Sequence, residues 1–174
     1  TPLKRQSASN TLVGAVSGAL PPLIGWVGAA GPPDVSGVYF RASLLIEPGA
    51  VFLFMLLFLW QLPHFLAINW MYRDEYRRGG FVMLANEDEE GVRTSRHALV
   101  FSVCTVLLMI HPPLTGQVNP WIFLPPALFL SGWLCWLAIR FQQAPDRTAA
   151  RRLFFCTLMY LPAVLIVTVA AWRR

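Results

Sequence analysis

Charge is what this chain has least of. Aspartate, glutamate, lysine and arginine together make up 13% of its 174 residues, against roughly a quarter in an ordinary soluble domain. So few charged groups leave a soluble globule of this size without a polar coat. Apolar residues reach 56%, and the two figures together point to a membrane protein. Cysteine is scarcer still: Cys104, Cys135 and Cys156 all fall inside apolar stretches. Their odd number and spacing exclude a disulfide framework and a metal-binding cysteine motif. They read as small buried hydrophobes. Internal repeats and low-complexity tracts are absent. The acidic run Glu87–Glu90 lacks the spacing of an EF-hand loop and reads as a solvated loop.

Five apolar stretches remain as candidate spans: Asn10–Ala29, Gly49–Tyr72, Arg96–Ile110, Val118–Arg140 and Leu153–Trp172. A bilayer needs about 20 residues at 1.5 Å rise per residue, which leaves the third span short. The expected fold is all-α, a polytopic transmembrane helical bundle of about five spans. The net charge of +5 does not point to nucleic acid, because the positive residues crowd beside the spans. Lys4 and Arg5 precede span one. Arg73, Arg77, Arg78, Arg93 and Arg96 lie between spans two and three, and Arg140, Arg147, Arg151 and Arg152 between spans four and five. The intervening loops hold only Arg41. The amino end and the 73–96 and 140–152 loops are therefore expected on the cytoplasmic side. Arg173 and Arg174 fall on the other side, against that trend. Trp60, Trp70, Trp121 and Trp172 suit interfacial anchors. The chain opens on Thr1 without an initiator methionine or a signal-peptide n-region, and it reads as part of a longer protein.

Gly14 and Gly18 form a GxxxG spacing. It serves either close helix packing or room for a bulky substrate. Pro21-Pro22 should break or kink that helix near its outer end. The loop Gly31–Pro48 carries turn signals, with a short interfacial element expected over Val38–Ile46.

The stretch Leu59–Leu84 begins as membrane-grade sequence and ends in an ionic cluster. Gln61, Pro63 and His64 interrupt a run that a lipid-facing helix keeps apolar; polar groups at that depth are costly and face protein or a watery cavity. On a wheel of 100° per residue, Gln61, Met71, Asp74, Glu75 and Arg78 lie within about 80° of His64, provided that the helix runs on to Gly79-Gly80. Asp74 and Arg78 are also an i,i+4 pair. Two readings stand for each residue. Asp74 and Arg78 form either a surface ion pair or part of a site. His64 is either a buried histidine bonded to a neighbouring helix or a site residue. His97 and His111 sit near span ends as interfacial residues. Carboxylates at a membrane mouth flanked by Lys and Arg suit Mg²⁺ and phosphate oxygens, and a greasy interior accepts an apolar tail. A polyprenyl diphosphate has that make-up. A membrane carrier for a porphyrin or an acidic solute would use similar parts.

Several ordered motifs carry a resemblance. Thr1-Pro-Leu-Lys4-Arg5-Gln-Ser7 is similar to a Tyr-Thr-x-x-Lys-Arg-x-Thr/Ser loop. Asn10 to Trp26 looks like the helix that follows it. Leu59-Trp-Gln-Leu-Pro-His-Phe follows Trp-x-x-Pro-His-Phe, and Tyr72 to Leu84 follows Tyr-x-x-Asp-Tyr-x-x-x-Gly-x-x-Met-Leu. In these the chain resembles the UbiA-type intramembrane prenyltransferase superfamily, in its haem-modifying branch. The resemblance implies that residues 1–174 are the carboxy-terminal part of one membrane prenyltransferase domain with a roughly nine-helix fold. It implies farnesyl transfer from farnesyl diphosphate to the vinyl group of protohaem IX (haem b), making haem o for terminal oxidases with Mg²⁺. It casts Lys4, Arg5 and Arg78 as diphosphate contacts and Asp74 as the Mg²⁺ or diphosphate carboxylate of the second acidic motif. Arg78 is alternatively a haem propionate contact, and His64 a residue that orients haem or binds near its iron. The branch uses Arg78 where other members place a second Asp. An amino-terminal Asn-x-x-x-Asp motif is missing from the chain, so catalysis by the chain alone is not expected. Other aromatic acceptors, of quinone-precursor or chlorophyll type, are the same-class alternative. Implied surroundings are the bilayer of a bacterial cytoplasmic or mitochondrial inner membrane, with haem a synthase or terminal-oxidase assembly factors as partners.

Overall fold

The computed structural model describes residues 10–29, 43–81, 83–86 and 88–173. Lys4, Arg5 and most of the Gly31–Pro48 loop, including residues 38–42 of the element expected over Val38–Ile46, lie outside them. The described chain is helical: α1 (Asn10–Ala29), α2 (Pro48–Met71), α3 (Arg73–Arg78), α4 (Val92–Leu108), α5 (His111–Leu114), α6 (Pro120–Gln143) and α7 (Arg147–Ala171), with one 3₁₀ turn at Leu84–Asn86. Three of the long helices, α2, α6 and α7, have a plain start signal. Pro48 and Pro120 take the first helical position, where a missing N–H costs nothing. Asn119 and Asp146 accept from the Trp121 and Ala149 amides at 3.1 and 2.6 Å, as N-cap side chains do.

α2 packs against α1, α4 and α7, while α6 packs against α4 and α7. The result is a closed ring of four helices, α2–α4–α6–α7, with α1 flanking α2. Phe52, Leu56, Met109, Phe123, Leu134 and Tyr160 fill the ring. The Tyr160 hydroxyl is satisfied inside it by Ser131 Oγ at 2.9 Å. The outside is apolar as well: Trp121 is 87% exposed, and Phe129, Ile166 and Val169 are similarly bare. A helix that is apolar all round is a core helix or a membrane span. Four helical stretches, Pro48–Met71, Val92–Leu114, Pro120–Gln143 and Arg147–Ala171, are long and apolar enough to cross a bilayer, with Val13–Ala29 a shorter apolar one.

Several expectations need correcting. Of the break or kink expected at Pro21-Pro22, the break does not occur: α1 runs through both to Ala29. The third span starts before Arg96, at Val92. The acidic loop sets that start: Asp88 is buried rather than solvated, and its carboxylate accepts from the Thr94 amide at 2.7 Å. Trp60 lies mid-helix and donates to the Thr157 carbonyl at 2.7 Å. Trp70 is buried under Arg73, 4.4 Å from its ring. Both pack within the protein instead of anchoring at an interface. The three cysteines are free; Cys156 is buried as expected, whereas Cys104 and Cys135 are half-buried.

The two ends of the bundle are well defined. At one end Trp26 of α1 meets Trp172 edge-on, and Val118 bridges to Trp172. At the other end, α3 lies beside the α6–α7 connection at Pro145–Arg147. The arginine-rich segments 73–96 and 140–152 thus share one end, as their charge predicts.

Candidate active site

The ionic cluster sits at the arginine-rich end, and a helix break places it there. α2 stops at Met71. Tyr72 leaves helical geometry at φ −114°, ψ 22°, and α3 restarts at Arg73. The continuous helix on which the wheel depended is therefore interrupted. Two glycines end α3: Gly80 has φ +69°, a left-handed conformation that other residues adopt at a cost. The expected Asp74–Arg78 side-chain pair is absent. Arg78 Nε instead donates to the Asp74 main-chain carbonyl at 3.4 Å, and the Asp74 carboxylate lies 4.0 Å from Arg73 Nε.

Asp74 and Glu75 occupy the first turn of α3, where the helix dipole favours negative charge. Both line a cleft of about 260 Å³ with Arg73, Asp146 and Arg147. A further cleft of about 360 Å³ has Tyr72, Arg147, Arg151 and Phe154 in its lining. Arg147 thus faces both, a cation that sequence reasoning left among topology signals. The motif itself also gave a missed signal. With Tyr72 and Tyr76 aligned on Tyr-x-x-Asp-Tyr, the acidic place falls on Glu75, one residue after Asp74.

His64 lies deeper, on the α7 side of α2. Its Nδ1 is 2.8 Å from Thr157 Oγ1, and its ring stacks between Trp60 and Phe154 at 5.3 and 5.0 Å. The bond to a neighbouring helix leaves only Nε2 for any other partner. Gln61 turns to the opposite neighbour, donating to the Ala15 carbonyl of α1 at 2.6 Å. The polar stripe is thus divided between α1 and α7. Asp74 and Glu75 share a cleft, while His64 is not in its lining.

Between α1 and α2 lies a cavity of about 230 Å³, lined by Gly14, Phe65, Ile68, Asn69, Tyr76 and Met83 among others. Tyr76 belongs to α3, so this mainly apolar space adjoins the helix that bears the carboxylates. Asn69 is 4% exposed, and its amide nitrogen has no partner among the described residues. Buried donors without a partner are costly. The GxxxG pair divides its two roles. A Cβ on Gly18 would collide with Gln61, whereas Gly14 has open space beside it.

No group of three or more possible metal ligands exists among the described residues. The adjacent Asp74 and Glu75 still fit Mg²⁺, which is commonly held by one or two carboxylates plus substrate phosphates and keeps several waters. The arrangement offers carboxylates for a cation and arginines for phosphate oxygens, with a separate apolar cavity on the α1 side of α2.

Comparison with known proteins agrees with this chemistry. Residues 1–159 match the UbiA prenyltransferase family. Among similar proteins is the mitochondrial protoheme IX farnesyltransferase of Neurospora crassa, 38% identical over 98% of this chain and 34% of that protein. The human mitochondrial protoheme IX farnesyltransferase is 37% identical over 99% of this chain and 35% of its own length. The protoheme IX farnesyltransferase of Opitutus terrae is 40% identical over 95% and 52%. The chain thus spans between about a third and a half of the length of these curated relatives. No solved structure matches it. On the family match and its apolar helices, the chain is an integral membrane protein and belongs to the UbiA prenyltransferase family.

Proposed function

We propose that the chain is the carboxy-terminal part of a single-domain enzyme that transfers the farnesyl group of farnesyl diphosphate to a vinyl group of protohaem IX, making haem o. The observation that carries this reading is the placement of Asp74, Glu75 and Arg147 at one cleft, in a chain whose relatives are named for that reaction. In the reaction the carbon–oxygen bond of the farnesyl ester breaks and its electron pair leaves with diphosphate. The vinyl group attacks the allylic cation, and water then captures the resulting carbocation and loses a proton. The product carries a hydroxyethylfarnesyl group. Mg²⁺, when bound, would neutralise charge on the diphosphate. Asp74 and Glu75 hold that side of the complex, and Arg147, Arg78, Lys4 and Arg5 supply the cationic contacts. These contacts strengthen as charge collects on the leaving group, so they act on the transition state. The apolar wall of the α1–α2 cavity takes part of the hydrocarbon chain, and the Asn69 amide in that wall donates to a substrate oxygen. His64 orients the haem through Nε2. The setting is a bacterial cytoplasmic or mitochondrial inner membrane, with haem a synthase or oxidase assembly factors downstream.

The test uses the intact parent protein in membranes supplied with farnesyl diphosphate, haem b and Mg²⁺. Chromatography should show haem o. Movement of unmodified porphyrin across the vesicle wall without haem o would point to a carrier and overturn the enzymatic reading.

A further inference from the structure

A second cavity lies away from the Asp74 cleft, on the outer side of the α6–α7 pair. It measures about 590 Å³, and its wall is built from Trp133 and Trp136 of α6 and Phe155 and Met159 of α7. All four side chains are between 45 and 65% exposed, so the groove opens to the bundle's surroundings. Its arginine-rich end holds Arg140 and Arg152. Neither has a carboxylate within ion-pair distance among the described residues. Arg140 instead lies over the Trp136 ring, 5.9 Å from its centre. The one acid in the lining, Asp146, already receives the Ala149 amide at 2.6 Å as the N-cap of α7.

We infer that this groove binds an anionic phospholipid from the leaflet at the arginine-rich end. Three properties select that occupant. The two guanidinium groups match phosphate oxygens, which Arg binds in a bidentate fork. The wall beyond them is apolar and aromatic. A free anion would leave that wall exposed, whereas an acyl chain covers it. Finally, about 10 Å of helix separates Arg152 from Met159 at 1.5 Å per residue, the upper third of a ~30 Å hydrocarbon core. A headgroup held at the arginines therefore lays the first part of its chain along Trp133 and Met159. Basic pockets between membrane helices on the cytoplasmic or matrix side bind anionic headgroups in this way. The site is independent of the proposed transferase reading. It touches the Asp74 cleft only at Asp146, which lines both.

The intact parent protein, purified in neutral detergent, is titrated with phosphatidylglycerol or phosphatidylcholine brominated on the acyl chain. Quenching of tryptophan fluorescence is followed, and the contribution of the groove is isolated by comparison with a Trp133→Phe, Trp136→Phe variant. Two arginines near the headgroup, at about 1 kcal/mol each, predict a roughly 10- to 30-fold preference for phosphatidylglycerol. Arg140→Gln with Arg152→Gln should reduce that preference to within about threefold at unchanged basal transferase activity. Arg140→Lys with Arg152→Lys, which keeps the charge, should retain most of it and guards against misfolding of the glutamine variant. Equal quenching by the two lipids in the wild type overturns the proposal. So does no groove quenching by either lipid, the result expected where another part of the parent protein covers this face.

Discussion

Asp74 and Glu75 share a turn but not a role in the motif, and their substitutions separate the two. Removal of a charge that stabilises the departing diphosphate should cost on the order of 2.7–4 kcal/mol, or ~10²–10³ in rate, as for a lost oxyanion contact. Glu75, at the acidic place of Tyr-x-x-Asp-Tyr, should show that loss in Glu75→Gln. Asp74→Asn should show it too if both carboxylates hold the same ligand. Haem o per unit of parent protein, measured at matched abundance, decides between one carboxylate and two; unchanged haem o in both variants removes the pair from the mechanism. Asn69 makes a different prediction. Its orphaned amide is buried beside an apolar cavity. Asn69→Leu should stabilise the ligand-free protein by about 1–3 kcal/mol, the desolvation cost of an unmet donor, while raising the KM for farnesyl diphosphate. A fall in melting temperature, read by fluorescence in detergent, would show that the amide has a structural partner elsewhere in the parent.

At the scale of elements, the join between α2, α4 and the α6–α7 connection positions the carboxylates, and Gly91 is its tightest point. Its φ is +77°, and an added Cβ would come within 2.5 Å of the Trp70 ring and 2.6 Å of Pro145 Cβ. Gly91→Ala adds left-handed strain of about 1–2 kcal/mol to overpacking of about 1–3 kcal/mol. Gly80 has a similar φ but nothing within 4 Å. Gly80→Ala should therefore cost only the backbone term, and thermal midpoints of the two variants should rank in that order. A Gly91→Ala protein as stable as Gly80→Ala would mean that Trp70 and Pro145 yield freely.

For the whole molecule the decisive quantity is sidedness. Arg77, Arg147 and the cleft between their helices belong to one end of the bundle, and Gln117 belongs to the other, where its carbonyl accepts from the Arg173 amide at 2.9 Å. In a background with the three native cysteines replaced by alanine, Arg77→Cys and Arg147→Cys should label from the same membrane face with an impermeant thiol reagent. Gln117→Cys should label from the opposite face. Labelling of positions 77 and 147 from opposite faces would break the antiparallel arrangement of the bundle.

Composition and hydropathy by themselves determined the class of fold. A bilayer demands long apolar helices that satisfy their own backbone groups, and charge-poor runs of that length leave few alternatives. The positions of α1, α2, α6 and α7 were legible to within a few residues at most ends, and the arginine pattern gave the end of the bundle they share. A boundary decided by a single side-chain bond was not legible. The α4 start depends on Asp88 folding back to the Thr94 amide, and the break expected at Pro21-Pro22 gave way to a helix that continues through both. The site was half legible. Asp74, Glu75 and His64 stood out as polar groups in a greasy stretch. Only the tertiary structure decided where they point, because the α6–α7 connection lies against Asp74 and Glu75 and the neighbours α1 and α7 draw Gln61 and His64 apart. Arg147 and Asn69 became site candidates only through packing. One is remote in sequence from the motif, and the other draws notice only because its amide is buried without a partner among the described residues.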